Sequence, residues 1–177
     1  MNSMKRLTIV LLGLSALAGC AKPAPPAPET KAEPAAATAV DTAADEAAIR
    51  AINPAWFTAY NARNPDGIAA LYADDAVLNI PGLPPVRGQA AIREAVGKDV
   101  EASAAAGLIF NGGSAPEFGV SGDLGWEWNT FTITDASGAT VDTGKYVTVY
   151  GRRDGKWLII RDIWNSDVPP AAAAPAQ

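Results

Sequence analysis

At Gly107 the hydrophobic pattern of this chain changes period, and no other feature constrains the fold as much. Upstream, large apolar residues recur at three- and four-residue spacing. Ile49, Ile52, Trp56 and Tyr60 share one face of a helix that Asp41 or Thr42 caps, with Asp45 and Glu46 in its first turn. Downstream, the period is two. Leu108 to Phe110, Gly125 to Thr134, Thr140 to Gly151 and Lys156 to Asn165 are rich in β-branched and aromatic residues. They are separated by Gly112-Gly113, Asp135-Ala136-Ser137-Gly138 and Arg153-Asp154-Gly155, so they read as hairpin-linked antiparallel strands. Helices first and a meander afterwards predict an α+β domain and exclude a βαβ repeat.

Punctuation places the remaining elements. Pro54 lies inside the first helical stripe, where it removes a hydrogen-bond donor, so a kink or break is predicted near Ile52 or Asn53. Asn64-Pro65 supplies an N-cap and a first-turn proline for a short helix from Asp66 to Tyr72, closed by Ala73-Asp74-Asp75. Ala76 to Ile80 is a short strand stopped by a proline-rich turn, and Gly88 to Ala106 is a third helix ended by Gly107. Asp74 and Asp75 read as that helix end, because a metal site needs more oxygen ligands than this turn offers. The folded part is predicted over residues 41–168.

The first twenty residues read as an address. Lys5 and Arg6 precede a predominantly apolar stretch, Leu7 to Ala18, of 12 residues, which is the anatomy of a signal peptide covering residues 1–19. It is too short for a membrane span, which needs about 20 residues. Its end, Leu17-Ala18-Gly19-Cys20, resembles the bacterial lipobox. That resemblance implies cleavage before Cys20, a diacylglycerol on its sulfur and an acylated amine, giving an anchor of several chains. Ala21 stands where an inner-membrane retention signal carries Asp, so the resemblance to Gram-negative lipoproteins implies the outer membrane, facing the periplasm. The Pro/Ala-rich run from Ala21 to Val40 cannot bury a core and is expected to act as an extended tether. The tail, 169–177, has the same character and is expected to be disordered.

Composition excludes several chemistries. The chain has no histidine, so it contains no Ser-His-Asp or Cys-His nucleophile, no His base and no His-ligated metal. Cys20 is the single cysteine, which rules out an internal disulfide and a cysteine metal cluster. No metal and no cofactor are expected. The net charge is -5, and cleavage after residue 19 leaves 12 Lys and Arg against 19 Asp and Glu, a balance of -7. Without a basic groove, nucleic acid is not an expected partner.

Trp56 to Val96, WFTAYNARNPDGIAALYADDAVLNIPGLPPVRGQAAIREAV, resembles the opening of SnoaL-like and ketosteroid-isomerase-like domains of the nuclear-transport-factor-2-like superfamily. Lys145 to Ser166, KYVTVYGRRDGKWLIIRDIWNS, resembles the closing hairpin of the SnoaL-like branch. The resemblance implies a curved antiparallel sheet wrapped by three N-terminal helices into a cone with an internal pocket, and a homodimer through the sheet face. Ketosteroid isomerase chemistry needs a carboxylate base and an oxyanion hole made of a tyrosine and a protonated acid. Carried onto this sequence, those three roles fall on Trp56, Ile80 and Val147 or Thr148. That isomerase mechanism is not supported.

The resemblance to SnoaL-type cyclases leaves Asp162 as the candidate general acid/base. By alternation it shares a strand face with Leu158, Ile160 and Trp164, while Trp157, Ile159, Arg161 and Ile163 take the other. Large rings from four elements are the candidate ligand-binding residues: Trp56, Tyr60, Trp126, Trp128, Tyr146 and Trp164, with Asn79, Glu127 and Asn129 as polar accents. Three functions follow as expectations. The leading one is an envelope lipoprotein that binds a small, mostly apolar molecule. The others are a SnoaL-like isomerase, cyclase or hydratase acting through Asp162, and an interaction module that uses the sheet face.

Overall fold

The computed structural model describes residues 42–169. The signal peptide, the lipobox at Cys20, the tether and the tail beyond residue 169 lie outside the described residues. The element order is α1 (Thr42–Arg50), α2 (Ile52–Asn61), α3 (Pro65–Ala69), β1 (Tyr72–Asn79), β2 (Val86–Arg87), α4 (Gln89–Ala105), β3 (Ile109–Gly112), β4 (Glu117–Ser121), β5 (Leu124–Thr134), β6 (Thr140–Arg153) and β7 (Lys156–Ser166).

The predicted first helix is two helices. The break falls at Ala51, just before the expected position, and leaves Pro54 in the first turn of α2. There its missing N–H has no intrahelical acceptor to lose. α1 is tied down by Asp45, which accepts the Trp157 indole hydrogen at 3.0 Å and pairs with Arg152. Asn64 caps α3 as expected, its side chain accepting from the Gly67 amide at 2.9 Å. α3 then stops at Ala69, short of the predicted Tyr72. Tertiary pairing overrides the helical pattern here, because the Ile159 amide takes the Leu71 carbonyl at 2.8 Å and Tyr72 already pairs with Ile159. Ala73 to Ala76 therefore belong to β1 and not to a helix end. The register slips between Tyr72 and Val77, which leaves Asp74 and Asp75 exposed in an irregular stretch of the strand.

Strand order is β2-β1-β7-β6-β5-β3, with β4 pairing the other end of β5. The sheet is not wholly antiparallel: β1 runs parallel to β7. Two strands escape the sequence pattern. β2 has two residues, and β4 follows Pro116 and carries Gly119 at its centre, where a Cβ would overlap the Trp126 indole. Gly144 is needed for the same reason, since the Phe131 ring of the neighbouring strand lies directly over it. Such close approach of ring to backbone requires glycine.

Strand parity decides what faces the helices. In β5 the inward residues are Gly125, Glu127, Asn129, Phe131 and Ile133, so Trp126 and Trp128 point outward at 44 % and 37 % exposure. In β7 a bulge shifts the register between the Ile159 and Arg161 pairings. Trp157 and Ile159 therefore face inward along with Asp162 and Trp164, and not opposite to them as strict alternation predicts. Two apolar clusters result. The larger gathers Ile49, Ile68, Tyr72, Ile92, Tyr150 and Ile159, and the smaller Phe131, Ile133 and Tyr146 with Phe57, Phe110 and Trp164.

Candidate functional site: an aromatic cavity over Asp162

A cavity opens where the two clusters face each other, with about 70 Å³ of space for the centres of water molecules. Since one water needs roughly 10–15 Å³ on this measure, it has room for several waters or one compact ligand. α2 lines it with Asn53, Trp56 and Phe57, and α4 with Val96 and Asp99. The sheet contributes Leu78 and Ile80 from β1 and its end, Phe110 from β3, Phe131 from β5, Tyr146 and Thr148 from β6, and Asp162 and Trp164 from β7.

Asp162 is 8 % exposed, and its carboxylate accepts from Tyr72 Oη at 2.6 Å and from Thr148 Oγ1 at 3.2 Å. Burial pushes its pKa above the ordinary aspartate value, the bonds from Tyr72, Thr148 and the Ile163 amide pull it back, and the charge of Glu127 adds to the rise. Tyr72 is fully buried, and burial beside Asp162 raises its phenol well above the usual range. Trp56 donates its indole hydrogen to Tyr72 Oη at 3.1 Å, so an indole, a phenol and a carboxylate form one chain whose two ends, Trp56 and Asp162, line the cavity. A second buried carboxylate, Glu127, collects the Tyr146 and Tyr150 hydroxyls at 2.9 and 3.3 Å, and Asn53 donates to Tyr150 at 2.8 Å. These bonds explain why the charged member of the Trp-Glu-Trp run points inward. Among the described residues, no group of three or more Cys, Asp or Glu is placed to hold a metal ion.

The structure brings Trp56, Tyr146, Trp164 and Asp162 to this one cavity. It does not bring Tyr60, Trp126 or Trp128. Tyr60 stands behind Trp56, stacked on it with ring centroids 5.0 Å apart, and its hydroxyl reaches Asp99 at 2.6 Å and Ser103 at 2.9 Å. Trp126 and Trp128 lie on the opposite face of the sheet, because parity in β5 is set by Glu127 and Asn129 facing in. Of the polar accents, Asn129 bonds the Gly113 carbonyl and Asn79 the backbone of Asp162. The sequence reading missed Asn53, Phe57, Val96, Asp99, Phe110 and Phe131. A signal for two of them existed: counted from the Pro54 break, Asn53, Trp56, Phe57 and Tyr60 form the stripe that α2 turns inward. The positions inherited from ketosteroid isomerase chemistry, Trp56, Ile80 and Thr148, all reach the cavity wall, whereas Val147 points outward. None of the three is a carboxylic acid.

Residues 54–160 match the SnoaL-like domain family. The chain belongs to that family. Solved structures carry the same fold at low identity. An NTF2-like protein with a cystatin-like fold from Novosphingobium aromaticivorans superposes with a TM-score of 0.66 at 19 % identity, covering 75 % of this chain and 88 % of that one. An NTF2-like protein of unknown function from Pseudomonas putida gives 0.62 at 22 % identity, over 72 % of this chain and 98 % of its own. A ketosteroid isomerase-like protein from Erwinia carotovora atroseptica gives 0.54 at 24 %, over 70 % and 96 %. No curated protein sequence matches the chain. At these identities the likeness speaks for the SnoaL-like cone alone.

Proposed function

We propose that this chain is a lipid-anchored envelope protein whose SnoaL-like cone binds a small, mostly apolar molecule without converting it. The observation that carries the reading is the cavity itself, a space with rings on several sides and one buried carboxylate at Asp162. The anchor rests on the Leu17-Ala18-Gly19-Cys20 run, and places the cone on the periplasmic side of the outer membrane at the end of the tether. A homodimer through the outer sheet face is part of the same reading. One experiment tests anchor and cavity together: native and intact mass spectrometry of the chain extracted from its own envelope in detergent. The expected result is a mature N-terminus at Cys20 bearing acyl chains, with a small molecule released on denaturation. An N-terminus elsewhere or an unmodified thiol removes the anchor, and a cavity that holds nothing but water removes the binding function.

A second reading, an isomerase, cyclase or hydratase, is favoured by the raised pKa of Asp162 and its short bond from Tyr72. In that case Asp162→Asn abolishes turnover of the molecule so identified and leaves its affinity unchanged.

A further inference from the structure

The cavity wall is one-sided in charge. Asp162 and Asp99 bring carboxylates to it, and no Lys or Arg lines it. None of the ion pairs among the described residues includes Asp162. Three of the wall's donors are committed to protein acceptors. Trp56 gives its indole hydrogen to Tyr72, Thr148 its hydroxyl hydrogen to Asp162, and Tyr146 its phenol hydrogen to Glu127. Asn53 donates to the Tyr150 hydroxyl. What lines the space is therefore two carboxylates among aromatic rings, with no cation beside them.

An anion entering here meets two carboxylates and no cation. A neutral carbonyl finds the Thr148 and Tyr146 hydroxyls and the Trp56 indole already spent. A cation finds the opposite situation: ring faces attract positive charge through their quadrupole, and a desolvated carboxylate without a counter-ion gains one. We infer that the cavity selects small organic cations, with an alkylammonium group held between the Asp162 carboxylate and the rings of Trp56, Phe57 and Trp164. Such a group is apolar over most of its surface and compact enough for about 70 Å³ of water-centre space. The inference rests on the reading of this cavity as a ligand site and names the class of ligand.

Three probes separate the two. Choline, 3,3-dimethylbutan-1-ol and 3,3-dimethylbutanoate share a bulky methylated head, and choline differs from the alcohol in having nitrogen with its positive charge in place of carbon. Isothermal titration calorimetry of the full chain is expected to give choline about tenfold tighter binding than the alcohol, with the carboxylate weakest. Asp162→Asn is expected to cut the choline-to-alcohol ratio by about tenfold while the alcohol affinity changes less than about twofold. An alcohol that binds as tightly as choline, or a ratio unmoved by Asp162→Asn, overturns the inference and leaves the cavity a ligand site. Failure of all three probes to bind overturns both. The wild-type ratio decides the matter even if the variant folds poorly.

Discussion

Three donors converge on the Asp162 carboxylate, the Tyr72 and Thr148 hydroxyls and the Ile163 amide, and none of them is charged. Burial without a cation is why its pKa rises, and the rise has a sign in stability. An acid that titrates higher in the folded state than in the unfolded chain binds the extra proton when folded, so its contribution declines as pH rises from the unfolded value near 3.8 through the folded one. Asp45, Asp66 and Asp167 have lowered values and act in the opposite sense, but they are common to wild type and variant and cancel in a difference. Asp162→Asn is therefore expected to gain stability relative to the wild type as pH rises from about 4 to neutrality, read by urea unfolding at a series of pH values. A difference that stays flat, or moves the other way, means that Asp162 is not the desolvated acid described here. The residue was legible in sequence as an aspartate among apolar neighbours. Its partners were not, because Tyr72 sat in a helical pattern and Thr148 in an unremarkable strand.

At the scale of elements, α1 is the piece whose attachment matters most to the cone. Ile49 is fully buried, its Cδ1 lies where a Cβ on Gly125 of β5 would fall, and Asp45 reaches Trp157 and Arg152 of the closing hairpin. One helix turn thus holds the far end of the sheet. Ile49→Ala is expected to cost roughly 2–5 kcal/mol, the range for removing a buried branched side chain, seen as a lower urea midpoint at unchanged slope. A loss below about 1 kcal/mol detaches α1 from the core, and a reduced slope says that α1 unfolds on its own. Helix stripes and glycine turns were readable because their signals are local: Ile49, Ile52, Trp56 and Tyr60 for the first helices, Gly107 for the end of α4. The parallel β1–β7 pairing was not, since its partners lie far apart in the chain, and β4, though a two-residue turn joins it to β5, offers only Phe118 and Val120 around Gly119 as a signal. Parity in β5 was ambiguous in principle. Alternation separates Trp126 and Trp128 from Glu127 without saying which set is inside, and the tyrosines that make Glu127 acceptable inside come from β6.

For the whole molecule, the misplaced tryptophans become the argument for a second copy. On the outer face Trp128, Val147 and Ile163 stand directly across from one another on β5, β6 and β7, with Trp126, Val149 and Arg161 in the next row. Exposures of 37 %, 38 % and 52 % for the first three make a continuous apolar ladder at the centre of the sheet, a larger patch than scattered surface residues explain. A sheet face is self-complementary under two-fold symmetry, because each row of one copy lies against the same rows of the other. Val147 is at the middle of the ladder and flanked by ring and branched side chain, so a charge there opposes association more than it opposes folding, for which a half-exposed position costs within about 0.5 kcal/mol. Density-matched sedimentation of the full chain in detergent is expected to give a dimer for the wild type. Val147→Glu should shift it to monomer, with a thermal midpoint close to the wild-type value and unchanged binding in the cavity on the other side of the sheet. A monomeric wild type, or a Val147→Glu variant that stays dimeric, rules out the outer face as the contact.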